Sequence, residues 1–215
     1  MSVDSFRLTA VSLIALFYPA LHLQAQDAEA VFAQLQDRYA AVDGLQASFT
    51  HVMSSTFWDD DQVYSGRMIV HGDRYRIDTD HTVLLVDGES TYVYRIDENQ
   101  VLISDIEEDL AILMPSTFLL NMGERFDAVG VGRSIQNGEQ HYQLDLKPKS
   151  ADSFFSALTV WMRARDAVIT RVRIIDTNDT HMGLTLDNIE LNPQIGRDTF
   201  VLTPPSDAEI IDLRS

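Results

Sequence analysis

Apolar residues occur on both faces of the strands predicted between Leu84 and Ser104, LLVDGESTYVYRIDENQVLIS. The segment begins with three consecutive apolar residues, and Tyr92 and Tyr94 point away from Val93 in an extended chain. A sheet with one face in water shows a cleaner alternation of apolar and polar positions. The pattern therefore predicts strands whose second face is also covered.

Similar strand patterns follow one another at short intervals, with turns such as His71-Gly72-Asp73 and Asp87-Gly88 between them. This spacing is typical of an antiparallel meander, and we expect about ten strands in all. The strand-like segments are residues 45–57, 63–70, 74–78, 82–86, 91–96, 101–106, 142–146, 158–162, 169–175, 184–190, 200–202 and 209–213.

Two segments predict helices instead. Val31, Leu35 and Tyr39 form a stripe at helical spacing within residues 27–42. Residues 116–122 follow a proline and are strongly apolar, which predicts a short second helix. We interpret the chain as one α+β domain, in which helices pack into the concave side of a strongly curved sheet. Such a sheet either fills its interior with side chains or leaves an apolar cavity.

Residues 1–26 predict a secretory signal peptide in front of a single exported domain, residues 27–215. Leu8 to Leu23 is an apolar run, and the cleavage point is expected near Ala25 or Gln26. An uncleaved transmembrane anchor is the alternative, but Pro19 and the modest length of the run weigh against it.

The charge and the residue usage exclude several classes of function. The chain has 33 acidic and 16 basic residues and a net charge of -17, which disfavours nucleic acid and anionic membrane surfaces as partners. It has no cysteine, and therefore no disulfide, thiolate nucleophile, Cys-ligated metal or lipidated cysteine.

No catalytic or metal-binding signature is present, and we expect neither an enzyme nor a cofactor. The histidines are scattered without ligand spacing. Residues 176–187 place some side chains as a calcium loop does, but His181 stands where that loop needs glycine, so a hairpin turn fits better. Acidic clusters such as 59–61 are interpreted as solvated turns rather than as glycosidase carboxylates.

Five segments, in order, resemble the outer-membrane lipoprotein carrier family, the periplasmic LolA-like proteins. The resemblance covers the chain from about Ala30 to Arg214. The segments are LQASFTHV (45–52), GRMIVHGDRYRID (66–78), VDGESTYVY (86–94), YQLDLKPKSADSFFSALTVWM (142–162) and, after Asn192, FVLTPPSDAEIID (200–212).

This resemblance implies an incomplete, strongly curved antiparallel β-barrel with covering helices around an apolar cavity. It also implies a monomeric periplasmic carrier that takes acylated lipoproteins from an inner-membrane lipoprotein-releasing transporter to an outer-membrane receptor. We expect acyl chains to be held by aromatic and flexible side chains rather than by fixed polar groups. The candidates are Phe49, Met68, Val70, Tyr75, Ile77, Tyr92, Tyr94, Phe118, Leu119, Trp161 and Met162.

In the family, an arginine near the second segment is linked to function through a lid helix. The resemblance carries that role to Arg74 or Arg76, although cross-strand pairing with nearby acids is an equal alternative. The chain departs from the family pattern here, because the family often carries a basic residue followed by proline, and the corresponding Val70-His71-Gly72 has no proline. Residues 116–122 are the candidate lid. Two other functions stay open: a lipid- or lipoprotein-sensing regulator with this fold, and a secreted carboxylate-dependent hydrolase.

Overall fold

A computed structural model of the chain describes residues 20–106, 122–150 and 153–214. Two helices lie in these ranges, α1 (Ala20–Tyr39) and α2 (Met122–Arg125), and side chains of α1 are described from Asp27. The strands are β1 (Gly44–Ser54), β2 (Gln62–His71), β3 (Arg74–Thr79), β4 (Thr82–Val86), β5 (Ser90–Arg95), β6 (Gln100–Asp105), β7 (Phe126–Gln136), β8 (Glu139–Pro148), β9 (Phe155–Arg163), β10 (Ile169–Asp176), β11 (His181–Leu191) and β12 (Glu209–Asp212).

All twelve strands form one sheet in the order β12-β6-β5-β4-β3-β2-β1-β11-β10-β9-β8-β7. Neighbouring strands are antiparallel except for β12, which runs parallel to β6. The sheet does not close, since β12 and β7 form its two edges. The predicted α+β fold with an incomplete antiparallel barrel is therefore confirmed, with twelve strands instead of about ten.

Two local predictions differ from the structure. β7 was not predicted, because Gly130 and Gly132 lower its apparent strand propensity, and an edge position tolerates such residues. Residues 200–202 are not a strand. Phe200 is buried in the segment between β11 and β12, so its apolar character reflects burial and not pairing.

One face of the sheet carries the core. Directly paired residues share a face, and one such row crosses five strands through Val160, Val172, Leu184, His51 and Tyr64. We call this the inner face, and the opposite one the outer face.

Helix α1 covers one end of the inner face. It packs on β7 and β8, and its buried residues Val31, Phe32, Leu35 and Tyr39 join the main hydrophobic core. The core residues from the sheet include Leu144, Leu146, Leu158, Val160, Met162, Val172 and Ile174. No helix in the described ranges has the length and apolar character to cross a membrane.

Two polar contacts fix α1 and its connection to the sheet. The Tyr39 hydroxyl accepts a hydrogen bond from the Ile169 backbone N–H at 3.0 Å, and burial raises the pKa of Tyr39 to about 12. At the other side of the connection, Asn192 Oδ1 accepts from the N–H groups of Asp43 and Gly44, and its Nδ2 donates to the Ala41 carbonyl. The helix is thereby held to the start of β10, and its connection to β1 is held to the end of β11.

Replacing Tyr39 by phenylalanine should destabilise the protein by about 1–3 kcal/mol, because the buried N–H of Ile169 would lose its acceptor. Urea unfolding followed by circular dichroism measures this change. Tyr64→Phe is the control, since Tyr64 is half-exposed and its hydroxyl forms no hydrogen bond within the part of the chain that the structure describes. Equal stabilities of the two variants would contradict the assigned role of the Tyr39 hydroxyl.

An apolar pocket on the inner face

The inner face contains a pocket of about 330 Å³ beside the core that α1 covers. Six adjacent strands, β4, β3, β2, β1, β11 and β10, contribute its walls. The lining residues are Phe49, His51, Met53, Tyr64, Met68, Ile77, Thr79, Thr82, Ile169, Val172, Ile174, Met182, Leu184 and Leu186.

Sheet curvature brings these strands around one space. In a flat sheet β4 and β10 would lie five strand spacings apart, or about 24 Å. Glycine at position 66 permits part of this curvature, because a Cβ there would clash with the Asp78 carbonyl oxygen on β3. The Phe49 ring is also close, at 3.2 Å from the place that such a Cβ would take. A side chain at Gly66 would therefore push β2 away from β3 next to Phe49, which lines the pocket.

The pocket surface is mostly hydrocarbon and thioether. Met53, Met68 and Met182 line it, and methionine adapts its shape to irregular apolar partners. Its threonines have local partners, since the Thr79 hydroxyl donates to the Thr82 carbonyl at 3.0 Å and accepts from the Thr82 N–H. Such a surface favours apolar ligands and offers few fixed polar anchors.

His51 and Tyr64 are the titratable residues among the pocket's lining residues. Their rings are 6.5 Å apart, centre to centre, and on the other side His51 pairs with Leu184. Burial lowers the pKa of His51 below its usual value, so the imidazole is neutral near pH 7. The pocket wall is therefore uncharged at this position.

The candidate residues from the sequence lie in several places. Phe49, Met68 and Ile77 line the pocket. Val70 and Tyr75 are on the same face but form a separate buried cluster with Val86. Met162 is completely buried in the core beneath α1.

Tyr92, Tyr94 and Trp161 lie on the outer face, away from the pocket. The register decides this placement: Tyr92 pairs with Leu85, and Trp161 pairs with Arg171. The Tyr92 hydroxyl donates to Asp87, and Tyr94 donates to Asn99. Trp161 is 8% exposed, because the guanidinium groups of Arg171 and Arg173 stack over its ring at 4.9 and 5.8 Å.

Arg74 and Arg76 hold the segment between β11 and β12 against the outer face. Arg74 stacks over the buried Phe200 ring at 4.9 Å. Arg76 pairs with Asp78 at 2.9 Å, and its Nη1 lies 3.4 Å from the Thr199 carbonyl oxygen. We call residues 192–208 the strap. Phe118 and Leu119, like most of the candidate lid, lie outside the described residues, so the lid-locking role of the arginines stays a prediction.

The pocket-lining residues on β10 and β11 were not among the candidates predicted from the sequence. The available signal was the alternation in β11, where Met182, Leu184 and Leu186 recur at every second position. These residues pair with Met53, His51 and Phe49 on β1. His51 lies on the same alternating row, although in the sequence it stands out only as one of several scattered histidines.

The loop that partly matched a calcium motif is a hairpin turn. Asp176 Oδ1 accepts hydrogen bonds from the N–H groups of Asn178 and Thr180, both at 2.8 Å. The described residues contain no group of three or more histidine, aspartate or glutamate side chains arranged to hold a metal. Asp176 thus stabilises the β10–β11 connection.

The family model described as "Outer membrane lipoprotein carrier protein LolA" matches residues 40–203, more than half of the 215-residue chain. The chain belongs to the LolA family. This confirms the resemblance that the five sequence segments indicated. No curated protein matches the chain.

Solved structures show a similar fold at low sequence identity. An uncharacterized conserved protein from Thermus thermophilus has a TM-score of 0.55 and 12% identity, covering 87% of this chain and 99% of that one. The Mycobacterium tuberculosis lipoprotein LppX has a TM-score of 0.47 and 12% identity, and the match covers 80% of this chain and 98% of LppX. A chain of the Pseudomonas aeruginosa MucA/MucB complex has a TM-score of 0.41 and 15% identity, and the match covers 82% of this chain and 61% of that one. The first of these, with a TM-score above 0.5, shows that the described sheet shares its fold with a solved structure.

We expect this LolA-family protein to lose stability through His51 as the pH falls below about 6.5. The unfolded chain binds a proton at His51 more readily than the folded protein does, so acid favours unfolding. Between pH 7.5 and 5.5, the free energy of unfolding should fall more for the wild type than for His51→Gln, measured by urea titration. His181→Gln, at an exposed histidine, is the control. An equal fall in wild type and His51→Gln would contradict the burial effect.

Proposed function

We propose that this LolA-family protein is a periplasmic carrier that binds the acyl chains of lipoproteins in the inner-face pocket. One observation carries the proposal: the inner-face pocket occurs in a chain of the lipoprotein carrier family. A mostly apolar pocket without a charged wall lies in a chain that matches the lipoprotein carrier family. The donor would be an inner-membrane lipoprotein-releasing transporter, and the acceptor an outer-membrane receptor.

The energetics of acyl chains explain why a carrier needs such a pocket. Burying hydrocarbon contributes about 0.8 kcal/mol per methylene, so two or three chains exposed to water would cost tens of kcal/mol. A pocket of about 330 Å³ is at the small end of the usual range for ligand sites. Complete loading would therefore require the pocket to widen, and the methionines in its wall could repack as it does.

A carrier must also release its cargo, and this requirement favours non-directional contacts between the pocket and the acyl chains. Apolar burial holds a chain without demanding one fixed geometry, whereas several hydrogen-bonding anchors would select a particular head group. The hydrocarbon wall, with the Thr79 hydroxyl already bonded to Thr82, suits cargoes that differ in their polypeptide. The proposed role needs no chemical step, as expected for a binding protein.

Placing a charge in the pocket should abolish acyl binding. We expect Leu184→Asp to weaken the binding of a triacylated lipopeptide at least tenfold, measured by isothermal titration calorimetry. Thr185→Asp is the matched control, because Thr185 is the next residue of β11, is exposed and points to the outer face. Ile77→Trp, which fills the pocket without a charge, should have a similar effect to Leu184→Asp.

Circular dichroism and unfolding curves must show that the variants are folded. If folded Leu184→Asp and Ile77→Trp both bound the lipopeptide as tightly as Thr185→Asp, the acyl chains would lie elsewhere and the proposal would fail. Failure of the wild type itself to bind the lipopeptide would favour a different function for the fold.

The candidate lid gives a separate prediction. Replacing Phe118 and Leu119 with serine should reduce lipopeptide loading severalfold, because an apolar cover over bound chains would be lost. Loading is measured by native mass spectrometry, and thermal unfolding checks that the variant is folded. Unchanged loading in a folded variant would rule out the lid role of residues 116–122.

A further inference from the structure

The loop between β1 and β2 exposes two adjacent aromatic residues. Phe57 is 82% exposed and Trp58 is 41% exposed. Neither contributes to the inner-face pocket. Contiguous large apolar side chains in water mark interaction sites, and aromatic residues are enriched at the centres of protein interfaces. We call residues 55–61 the tip.

The tip has a defined turn that presents these rings. The Ser55 side-chain oxygen accepts a hydrogen bond from the Phe57 N–H at 3.3 Å, and the Ser55 carbonyl accepts one from the Trp58 N–H at 3.1 Å. The backbone is therefore held locally while both rings stay outside the core. A preformed turn lowers the entropic cost of binding a partner.

The surroundings of the two rings are acidic. Asp59, Asp60 and Asp61 follow directly, all are exposed, and none forms an ion pair with a described residue. The strand registers put two further hairpin turns at the same end of the sheet as the tip. They carry Asp80 and Asp179, and neither turn contains a lysine or arginine, although His181 lies 3.3 Å from Asp179. The aromatic pair thus lies within a negatively charged border.

The tip stands at one end of the pocket. Met53 and Tyr64, which line the pocket, lie next to the two ends of the tip on β1 and β2. Met182, which follows the β10–β11 turn, pairs with Met53 across the same end. A partner bound to the tip would therefore be close to any chain that enters or leaves the pocket there.

We propose that the tip is the docking element for a partner protein that presents an apolar face with a basic rim. Phe57 and Trp58 supply the apolar anchor, and Asp59 to Asp61 supply the complementary charge. The net charge of -17 adds long-range attraction toward a basic surface. The same charges oppose an anionic lipid surface, which makes a protein the favoured occupant over a bilayer.

The test uses full-length protein and a defined mimic of the proposed partner surface. The probe is a 14-residue amphipathic helix of leucine and lysine, with two reference peptides in which glutamate replaces lysine or serine replaces leucine. Calorimetry at low and at physiological salt should show binding of the Leu/Lys peptide alone. Phe57→Ser with Trp58→Ser, and separately Asp59→Asn with Asp60→Asn and Asp61→Asn, should each weaken it at least about tenfold.

Matched controls distinguish peptide binding at the tip from non-specific attraction to the negative charge of the whole protein. Asp27→Asn with Glu29→Gln and Asp37→Asn removes three exposed acids from α1, which packs on β7 and β8, far along the sheet from the tip. Ile135→Ser removes an exposed apolar residue from the β7–β8 hairpin. Both controls should bind the Leu/Lys peptide like the wild type. Equal weakening in tip and control variants would mean non-specific attraction and would overturn the proposal.

Two further measurements complete the test. Vesicles of phosphatidylcholine should not bind the protein; binding that disappears in Phe57→Ser with Trp58→Ser would identify a bilayer as the occupant and overturn the proposal. The same variant should bind the triacylated lipopeptide normally, because the tip is outside the pocket. Docking at the tip and acyl binding in the pocket are thus judged by separate readouts.

Discussion

The apolar inner face of the sheet extends beyond the part that helix α1 covers, and most features of this protein follow from that constraint. Helix α1 packs on β7 and β8 and completes a core with the neighbouring strands. From β10 to β4 the inner face continues, still apolar, around a space. Removing this hydrocarbon surface from water is favourable, whichever segment or molecule covers it. This apolar surface, beside the core that α1 completes, is suited to bury the hydrocarbon of another molecule.

The outer face has its own coverings, which explains the apolar residues on both faces of several strands. Arg74 and Arg76 hold the strap, and Phe200 is buried beneath Arg74. Farther along the sheet, two arginines cover Trp161 with their side chains. These coverings consist of local contacts within the chain, whereas the inner face encloses a space. Among the described residues, the two faces therefore differ: the outer face is covered by local contacts of the chain, and the inner face encloses an apolar pocket.

Much of the fold could be predicted from the sequence, because strand alternation and turn residues are local properties. The strand 82–86 was predicted with its observed bounds, and the α1 stripe of Val31, Leu35 and Tyr39 is buried as expected. The assignment of faces is not local. Alternation shows that Tyr92 and Val93 oppose each other, but only the pairing with β4 and β6 shows which of them shares a face with the pocket. The same limit applied to Trp161 and to His51.

The central claim is that the inner-face pocket carries acyl chains in the cell. The most direct test is native mass spectrometry of the wild-type protein, purified gently from the periplasm without detergent. The account predicts that part of the protein carries a bound acylated species, and that the apolar pocket is the protected region in hydrogen exchange of that fraction. A protein that is entirely ligand-free, and that takes up no added triacylated lipopeptide, would contradict it.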